Sequence, residues 1–158
     1  MFRKMIPAFF ATVCSASAAF ASSYPIDGVE PLIQPNEAKA LSAAGVTTTQ
    51  ALVERGATPK ARKELATTTR IPEKRLLQLV HMADLMRVSG IGPKMVRLLG
   101  KAGIATLSDL AKQDGAKLAA SIEKLRPSLD SDLKEKLPDK ETLSHWIGQA
   151  KALKPLVK

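Results

Sequence analysis

Apolar residues recur every three or four positions in two long stretches of this chain, at about 72–87 and 139–153. That spacing puts them on one face of an α-helix, so each stretch is predicted to form an amphipathic helix with one buried side. No stretch shows the alternation of apolar and polar residues that is typical of a half-buried strand. The pattern therefore predicts an all-α fold. The apolar positions are Leu76, Leu79, Val80, Ala83 and Met86 in the first stretch and Leu143, Trp146, Ile147, Ala150 and Leu153 in the second.

Proline, glycine and small polar residues indicate where shorter helices begin and end. Pro35 and Pro93 suit the first position of a helix, where a missing N–H costs nothing. Gly45 and Gly103 suit the left-handed position just past a helix end. Capping residues mark the remaining helix starts. They are Thr47 or Thr48, Thr106 or Ser108, Thr58–Pro59, Ile71–Pro72, Asp114 and Pro138–Asp139.

The two halves of the chain are similar when one is shifted along the other. Ile33, Leu41, Gly45 and Leu52 then fall on Ile91, Leu99, Gly103 and Leu110. This indicates an ancient duplication, and the two units are predicted to pack as a pseudo-symmetric pair, because neither buries its apolar face well alone. The predicted divisions are an extended lead-in at 22–34, a first unit at 35–88, a second unit at 89–154 and a frayed tail at 155–158.

The N-terminus has the three parts of a secretory signal peptide. Arg3 and Lys4 precede an apolar run from Met5 to Phe20, and Ala19-Phe20-Ala21 fits the cleavage pattern. We predict a signal peptide at 1–21, cleaved after Ala21, and a protein exported to the periplasm or the medium. Two alternatives stay open: a lipoprotein attached at Cys14, and an uncleaved membrane anchor.

Charge and residue types narrow the possible functions. The net charge of +9, of which the predicted signal peptide supplies only two positive charges, favours a polyanionic partner. The only cysteine leaves with the signal peptide, and His81 and His145 are interpreted as residues at helix surfaces, since no spacing typical of a metal site surrounds them. The chain also lacks a phosphate-binding loop. We therefore predict that the protein is not an enzyme and has no small-molecule substrate.

Six basic residues cluster in the first half. The cluster is either a track for a polyanion or an ordinary solvated helix face, and no aromatic residues interleave with it to stack single-stranded bases. Its members are Lys60, Arg62, Lys63, Arg70, Lys74 and Arg75.

The stretch Ser89-Gly90-Ile91-Gly92-Pro93-Lys94 has the residue types that an anion-binding bend needs. Gly90 and Gly92 permit a tight link between two helices, and Ile91 between them can point into the core. N–H groups at the start of the next helix have no partner within it and attract a phosphate. Cationic side chains flank the bend on both sides, namely Arg87, Lys94, Arg97 and Lys101.

These residues resemble the helix–hairpin–helix superfamily, whose core is an apolar helix, two glycines around an apolar residue, and a short second helix. The following Ala102-to-Ala111 segment and the helix with Trp146 resemble the bacterial family of domain of unknown function 4332, over roughly residues 33–153. The resemblance implies two tandem helix–hairpin–helix units and contact with a DNA backbone without sequence preference. It also implies a monovalent cation at the hairpin carbonyls in some members; no other cofactor is expected.

Together these observations predict a monomeric exported protein that binds DNA weakly through Gly90, Ile91 and Gly92, assisted by Arg87, Lys94, Arg97 and Lys101. The equivalent stretch of the first half, 31–36, lacks both glycines, so it is predicted to be a structural partner. The alternative function is an interaction module of the cell envelope, which would bind a protein in the groove between the two units and have no role with nucleic acid.

Overall fold

The computed structural model describes residues 23–158, and every regular element in that range is helical. Strand pairing there is limited to one isolated bridge between Pro25 and Thr48. The all-α prediction is confirmed, whereas the predicted signal peptide, with Cys14 and the cleavage site after Ala21, lies outside the described residues. The helices are α1 (Pro35–Ala43), α2 (Thr49–Gly56), α3 (Pro59–Thr69), α4 (Glu73–Leu85), α5 (Pro93–Lys101), α6 (Leu107–Ala111), α7 (Gly115–Leu125), α8 (Ser131–Lys134) and α9 (Lys140–Ala152), with 3-10 turns at Ile26–Gly28 and Arg126–Ser128.

The helix boundaries follow from local chemistry. The side chains of Thr48 and Thr106 accept hydrogen bonds from main-chain N–H groups in the first turns of α2 and α6. Gly45 and Gly103 follow α1 and α5 with φ angles of +79° and +82°. These positions agree with those predicted from the sequence, because capping and left-handed turns are decided by residues within four positions of each other. Side-chain caps also begin three further helices, at Thr58, Asp114 and Asp139.

The two longest helices, α4 and α9, organise the core. Helices α2 and α3 pack on α4, and helices α6 and α7 pack on α9. The apolar faces predicted for 72–87 and 139–153 are buried except at Leu153, which is partly buried. Trp146 is only 4% exposed, as expected of a core residue. Each half of the chain therefore surrounds one long helix.

Residues 23–34 differ from the extended lead-in predicted from their prolines and glycine. They form a compact turn whose main chain pairs with the α1–α2 loop, where Ile26 N donates to Thr47 O at 3.0 Å and Thr49 N donates to Tyr24 O at 2.9 Å. The physical reason is that this segment has enough apolar side chains to join the core. Those buried are Ile26, Val29, Leu32 and Ile33.

The last described residues were predicted to be a frayed tail, but they contact the rest of the protein. After α9, residues 154–158, here called the tail, run back toward the first half, where Lys158 N donates to Ala57 O at 2.8 Å. Leu156 and Val157 are partly buried against the core. None of the helices between residues 23 and 158 combines the length and apolarity that crossing a bilayer requires.

Candidate nucleic-acid interface

Residues 86–92 link α4 to α5 in a tight bend, which we call the glycine hairpin. Val88 N donates to Leu85 O at 3.1 Å, and Ile91 N donates to Val88 O at 3.0 Å. Gly90 has a φ angle of +90°, in the region that only glycine adopts at low cost. Ile91 is fully buried. The bend at Gly90 and the inward direction of Ile91 agree with the prediction from the sequence. Gly92 differs from it, because its φ of −97° and ψ of −175° are extended backbone that any residue adopts.

One side of each hairpin glycine is covered by an aromatic side chain of the protein itself. A Cβ atom on Gly90 would lie 2.9 Å from Nε1 of Trp146, and one on Gly92 would lie 3.1 Å from the hydroxyl oxygen of Tyr24. Both separations are shorter than normal van der Waals contact. The side chain of Gln149 also accepts a hydrogen bond from Ser89 N at 2.9 Å. Both glycines therefore leave room for a side chain of the protein itself, whether or not a ligand approaches from solvent.

Helix α5 begins without a side-chain cap. Its N-cap residue is Gly92, and the first helical hydrogen bond to it runs from Val96 N at 3.0 Å. N–H groups in the turn before Val96 have no carbonyl partner within the helix and carry the positive end of its dipole. In α1, the helix that the predicted repeat aligns with α5, Glu37 accepts a hydrogen bond from Gln34 N at 2.9 Å. The start of α5 is thus open to an anion, whereas the start of α1 already holds a carboxylate.

Basic side chains on α5 face two aspartates at the start of α8, which we call the acidic pair, Asp130 and Asp132. Arg97 lies 2.6 Å from Asp130 and 3.6 Å from Asp132, measured between guanidinium nitrogen and carboxylate oxygen. Lys94 Nζ lies 3.8 Å from Asp132, and 57% of the Lys94 side chain is exposed. Lys101 is exposed, and it takes part in none of the ion pairs found in the described part of the chain. The acidic pair therefore offsets part of the positive potential beside the hairpin.

Arg87, expected to flank the hairpin as a cation that meets phosphate, lies inside the protein. It is 3% exposed, and its Nη1 lies 2.7 Å from a carboxylate oxygen of Asp84. The same nitrogen donates to the carbonyl oxygen of Lys154 at 3.0 Å. A buried guanidinium needs such partners because losing its hydration is costly. The structure therefore brings Lys94 and Arg97 to the hairpin surface and turns Arg87 toward the tail.

The basic cluster of the first half is smaller at the surface than its sequence suggests. Arg62 is only 4% exposed. Arg75 donates two hydrogen bonds to the Glu37 carboxylate, at 2.7 and 2.8 Å, and these bonds lower the pKa of Glu37. Arg62 and Arg75 thus make contacts within the protein and contribute little to the charge at its surface. The exposed remainder is Lys60, Lys63, Arg70 and Lys74.

An apolar groove of about 250 Å³ lies between α4 and the α5–α6 segment. Its floor is formed by buried side chains, Leu85, Val96 and Ile104, and small residues at its mouth, Gly100 and Ala105, leave it open. The helical spacing of the sequence gave no sign that the core opens here. The small residues at the mouth are the one signal that could have indicated it. Gln78, His81 and Met82 complete the lining.

His81, at the edge of this groove, is expected to make stability depend on pH. Burial lowers its pKa, the Arg62 charge lowers it further, and the carboxylates of Asp84 and Asp109 oppose the change. The unfolded chain therefore binds a proton at higher pH than the folded protein does. Stability is complete above the unfolded value of about 6.5, and is expected to fall as the pH drops from there through the lowered pKa of the folded state.

The measurement is urea unfolding of the wild type and of His81→Asn between pH 7.5 and pH 5. In His81→Asn the free energy of unfolding should fall less between pH 7.5 and pH 5 than it does in the wild type. His145→Asn, which changes an exposed residue of α9, should show the same fall as the wild type. An identical pH profile for wild type and His81→Asn would contradict the assignment.

Between residues 23 and 158, no three His, Cys, Asp or Glu side chains lie close enough together to hold a metal ion. A monovalent cation at hairpin carbonyls would need none of these side chains, so that expectation stays a prediction.

The fold and the site define a class of protein, an all-α chain of short helices with an uncapped helix start at a glycine hairpin. The chain belongs to the family of domain of unknown function 4332, whose sequence profile matches residues 31–153. No curated protein and no solved structure matches this chain. The match covers the nine helices of the described residues and stops just before the tail.

Proposed function

We propose that this protein is an exported, non-enzymatic helical module that binds the DNA backbone weakly and without sequence preference through the glycine hairpin. In this proposal the chain consists of two paired helix–hairpin–helix units. The first is closed by Glu37, and the second is available to a phosphate.

The uncapped start of α5 is the observation that carries the proposal. A phosphate oxygen there accepts hydrogen bonds from N–H groups that have no partner in the helix, and it meets the positive end of the helix dipole. Lys94 lies in the first turn with more than half of its side chain exposed, and Lys101 extends the positive charge along α5. Main-chain contact of this kind reads no bases, which is why sequence preference is not expected.

Fewer side chains are available to contact phosphate than the sequence suggested. Arg87 is buried, and Arg97 forms ion pairs with the acidic pair. Few phosphate contacts imply an affinity no tighter than the non-specific range of about 10⁻⁴ to 10⁻⁶ M near physiological salt. Each phosphate contact contributes a slope of about −0.9 to the dependence of log K on log salt.

The experiment is titration of the purified protein into labelled duplex DNA at two salt concentrations. We expect measurable binding at low salt and a salt slope of about −2 to −3, corresponding to two or three phosphates. Absence of binding at low salt would exclude the proposal. N-terminal sequencing of the same preparation tests export, because cleavage after Ala21 makes Ser22 the first residue.

The apolar groove favours a second candidate function, docking of an envelope protein. A groove of about 250 Å³ suits one or two apolar anchor side chains, the elements that dominate binding energy at protein interfaces. In this case we expect the partner to insert such a side chain over Val96, and we expect its affinity to be insensitive to salt.

Two glycines provide a matched test of this candidate. Gly100 at the mouth of the groove and Gly148 on α9 both have open space where a Cβ would lie. Gly100→Leu should block capture of a partner, and Gly148→Leu should leave it unchanged. A partner captured equally by both variants would not be a partner of the groove.

A further inference from the structure

The hydroxyl group of Tyr24 lies beside the start of α5, although Tyr24 belongs to the lead-in before the first half of the chain. A Cβ atom on Gly92, the N-cap residue of α5, would lie 3.1 Å from the Tyr24 hydroxyl oxygen. An N-cap side chain leaves the main chain through this Cβ, and its oxygen reaches the open N–H groups of the first turn, as that of Thr106 does in α6. The Tyr24 hydroxyl therefore lies close to the place that a capping group occupies in other helices.

This hydroxyl group does not itself cap α5. The described part of the chain provides no hydrogen-bond partner for the Tyr24 hydroxyl or for the N–H groups of Lys94 and Met95. Pro93 has no N–H group to donate, so the helix positions before Val96 carry two main-chain donors. The Tyr24 O–H is a third donor near the same helix start, and all three are available to one bridging anion.

The main chain and the ring of Tyr24 are both held in place. Tyr24 N donates to the Thr49 hydroxyl oxygen at 3.0 Å, and Tyr24 O accepts a hydrogen bond from Thr49 N at 2.9 Å. The ring is partly buried against the core. A donor that is already positioned loses little conformational freedom when a ligand binds. The hydroxyl is therefore presented at the glycine hairpin by contacts that exist without a ligand.

We infer that Tyr24 is a further phosphate ligand at the glycine hairpin. Its hydroxyl group donates a hydrogen bond to the phosphate that also accepts from the N–H groups of Lys94 and Met95. This inference rests on the proposed DNA binding and adds to it a contact from the lead-in. The phenol is neutral and meets the DNA backbone, so it adds affinity without adding charge or base preference.

Tyr24→Phe tests the contact, because it removes the hydroxyl oxygen and keeps the ring. We expect duplex DNA to bind this variant about tenfold more weakly at low salt, the lower end of the range for a hydrogen bond to a charged group. The dependence of log K on log salt should keep the slope of the wild type, since a neutral donor releases no counterion. Lys94→Gln should also weaken binding, but it should reduce the size of that slope by about 0.9. Fluorescence anisotropy with a labelled duplex at several salt concentrations measures both quantities.

Ser42→Ala is the matched control, because it removes an exposed hydroxyl group from α1. This variant should bind DNA as the wild type does. Equal binding by Tyr24→Phe and the wild type would overturn the inference, and tighter binding by Tyr24→Phe would overturn it by showing that the hydroxyl obstructs the site. A smaller salt slope in Tyr24→Phe would mean that a charged contact was lost, which would also contradict a direct role of the hydroxyl. Urea unfolding checks that both variants are folded.

A second measurement observes Tyr24 directly. The chain contains one tyrosine, so protein labelled with ¹³C-tyrosine gives ring signals from this residue alone. Duplex DNA should shift these signals to saturation in the wild type, and unchanged signals at a DNA concentration that saturates the anisotropy would contradict the inference. Absence of any DNA binding by the wild type would remove the proposed function together with this inference, whereas binding that Tyr24→Phe leaves unchanged would remove the inference alone.

Discussion

Replacing Lys94 and Arg97 with glutamate is expected to reduce duplex DNA binding below detection, and replacing Asp130 and Asp132 with asparagine is expected to strengthen it. Both expectations follow from one arrangement, in which the acidic pair lies 2.6 to 3.8 Å from the two cations of α5. A phosphate at the glycine hairpin has to compete with these carboxylates. Removing them releases Arg97 and Lys94, and reversing the cations leaves the helix start surrounded by negative charge.

The size of the gain follows from the strength of exposed ion pairs. Such pairs contribute about 0.2 to 1 kcal/mol each, so release of two is expected to strengthen binding by about two- to thirtyfold at low salt. Fluorescence anisotropy with a short labelled duplex measures this directly. Circular dichroism should show unchanged helicity in both variants.

A matched control separates the local effect from total charge. Glu54 and Glu64 are exposed carboxylates on α2 and α3, and replacing both with glutamine changes the net charge by the same amount as changing the acidic pair. We expect this control to bind DNA as the wild type does. Equal strengthening by the control would mean that overall charge, and not the hairpin, determines binding.

Gly90→Ala is expected to destabilise the protein by about 2 to 5 kcal/mol, for two reasons. The φ angle of +90° costs a residue with a Cβ about 1 to 2 kcal/mol. The new methyl group would also lie 2.9 Å from Trp146 Nε1, and overpacking of this kind costs about 1 to 3 kcal/mol. The loss is measured as a change in the free energy of unfolding in urea.

Gly103→Ala is the control, because it shares the backbone strain without the contact. Gly103 has a φ angle of +82° and open space around the position of a Cβ, so its cost should be about 1 to 2 kcal/mol. Equal costs at the two positions would show that Trp146 moves aside freely. This comparison of stabilities also matters for function. If a Gly90 variant binds DNA weakly, the cause is either a lost contact with phosphate or a hairpin displaced by the new methyl group, and DNA binding alone does not distinguish the two.

The helices could be predicted from the sequence because their boundaries are decided locally. Pro93 begins α5 and Asp139 caps α9 for reasons contained in the adjacent turn of the chain. The apolar faces of α4 and α9 were predicted equally well, since helical spacing fixes which residues face inward.

The environment of the cations could not be predicted, because it depends on partners far away in the chain. Arg97 meets Asp130 across 33 positions, Arg87 meets Lys154 across 67, and Arg62 meets Lys158 across 96. A basic residue in a helix has the same appearance in the sequence whether it faces water or a carboxylate. The conformation of the lead-in could not be predicted for the same reason. Its prolines indicated an extended chain, but its apolar residues pack in the core against residues from other parts of the chain.

The tail also has a consequence for how the chain unfolds. The bond between Arg62 and Lys158 closes a loop over 96 positions and connects the α2–α3 turn to the segment after α9. Contacts of such long range slow folding, because the entropy of loop closure is lost before the contact is gained. They also connect the two halves, so melting of one half is expected to destabilise the other, and the molecule is expected to unfold as a single cooperative unit.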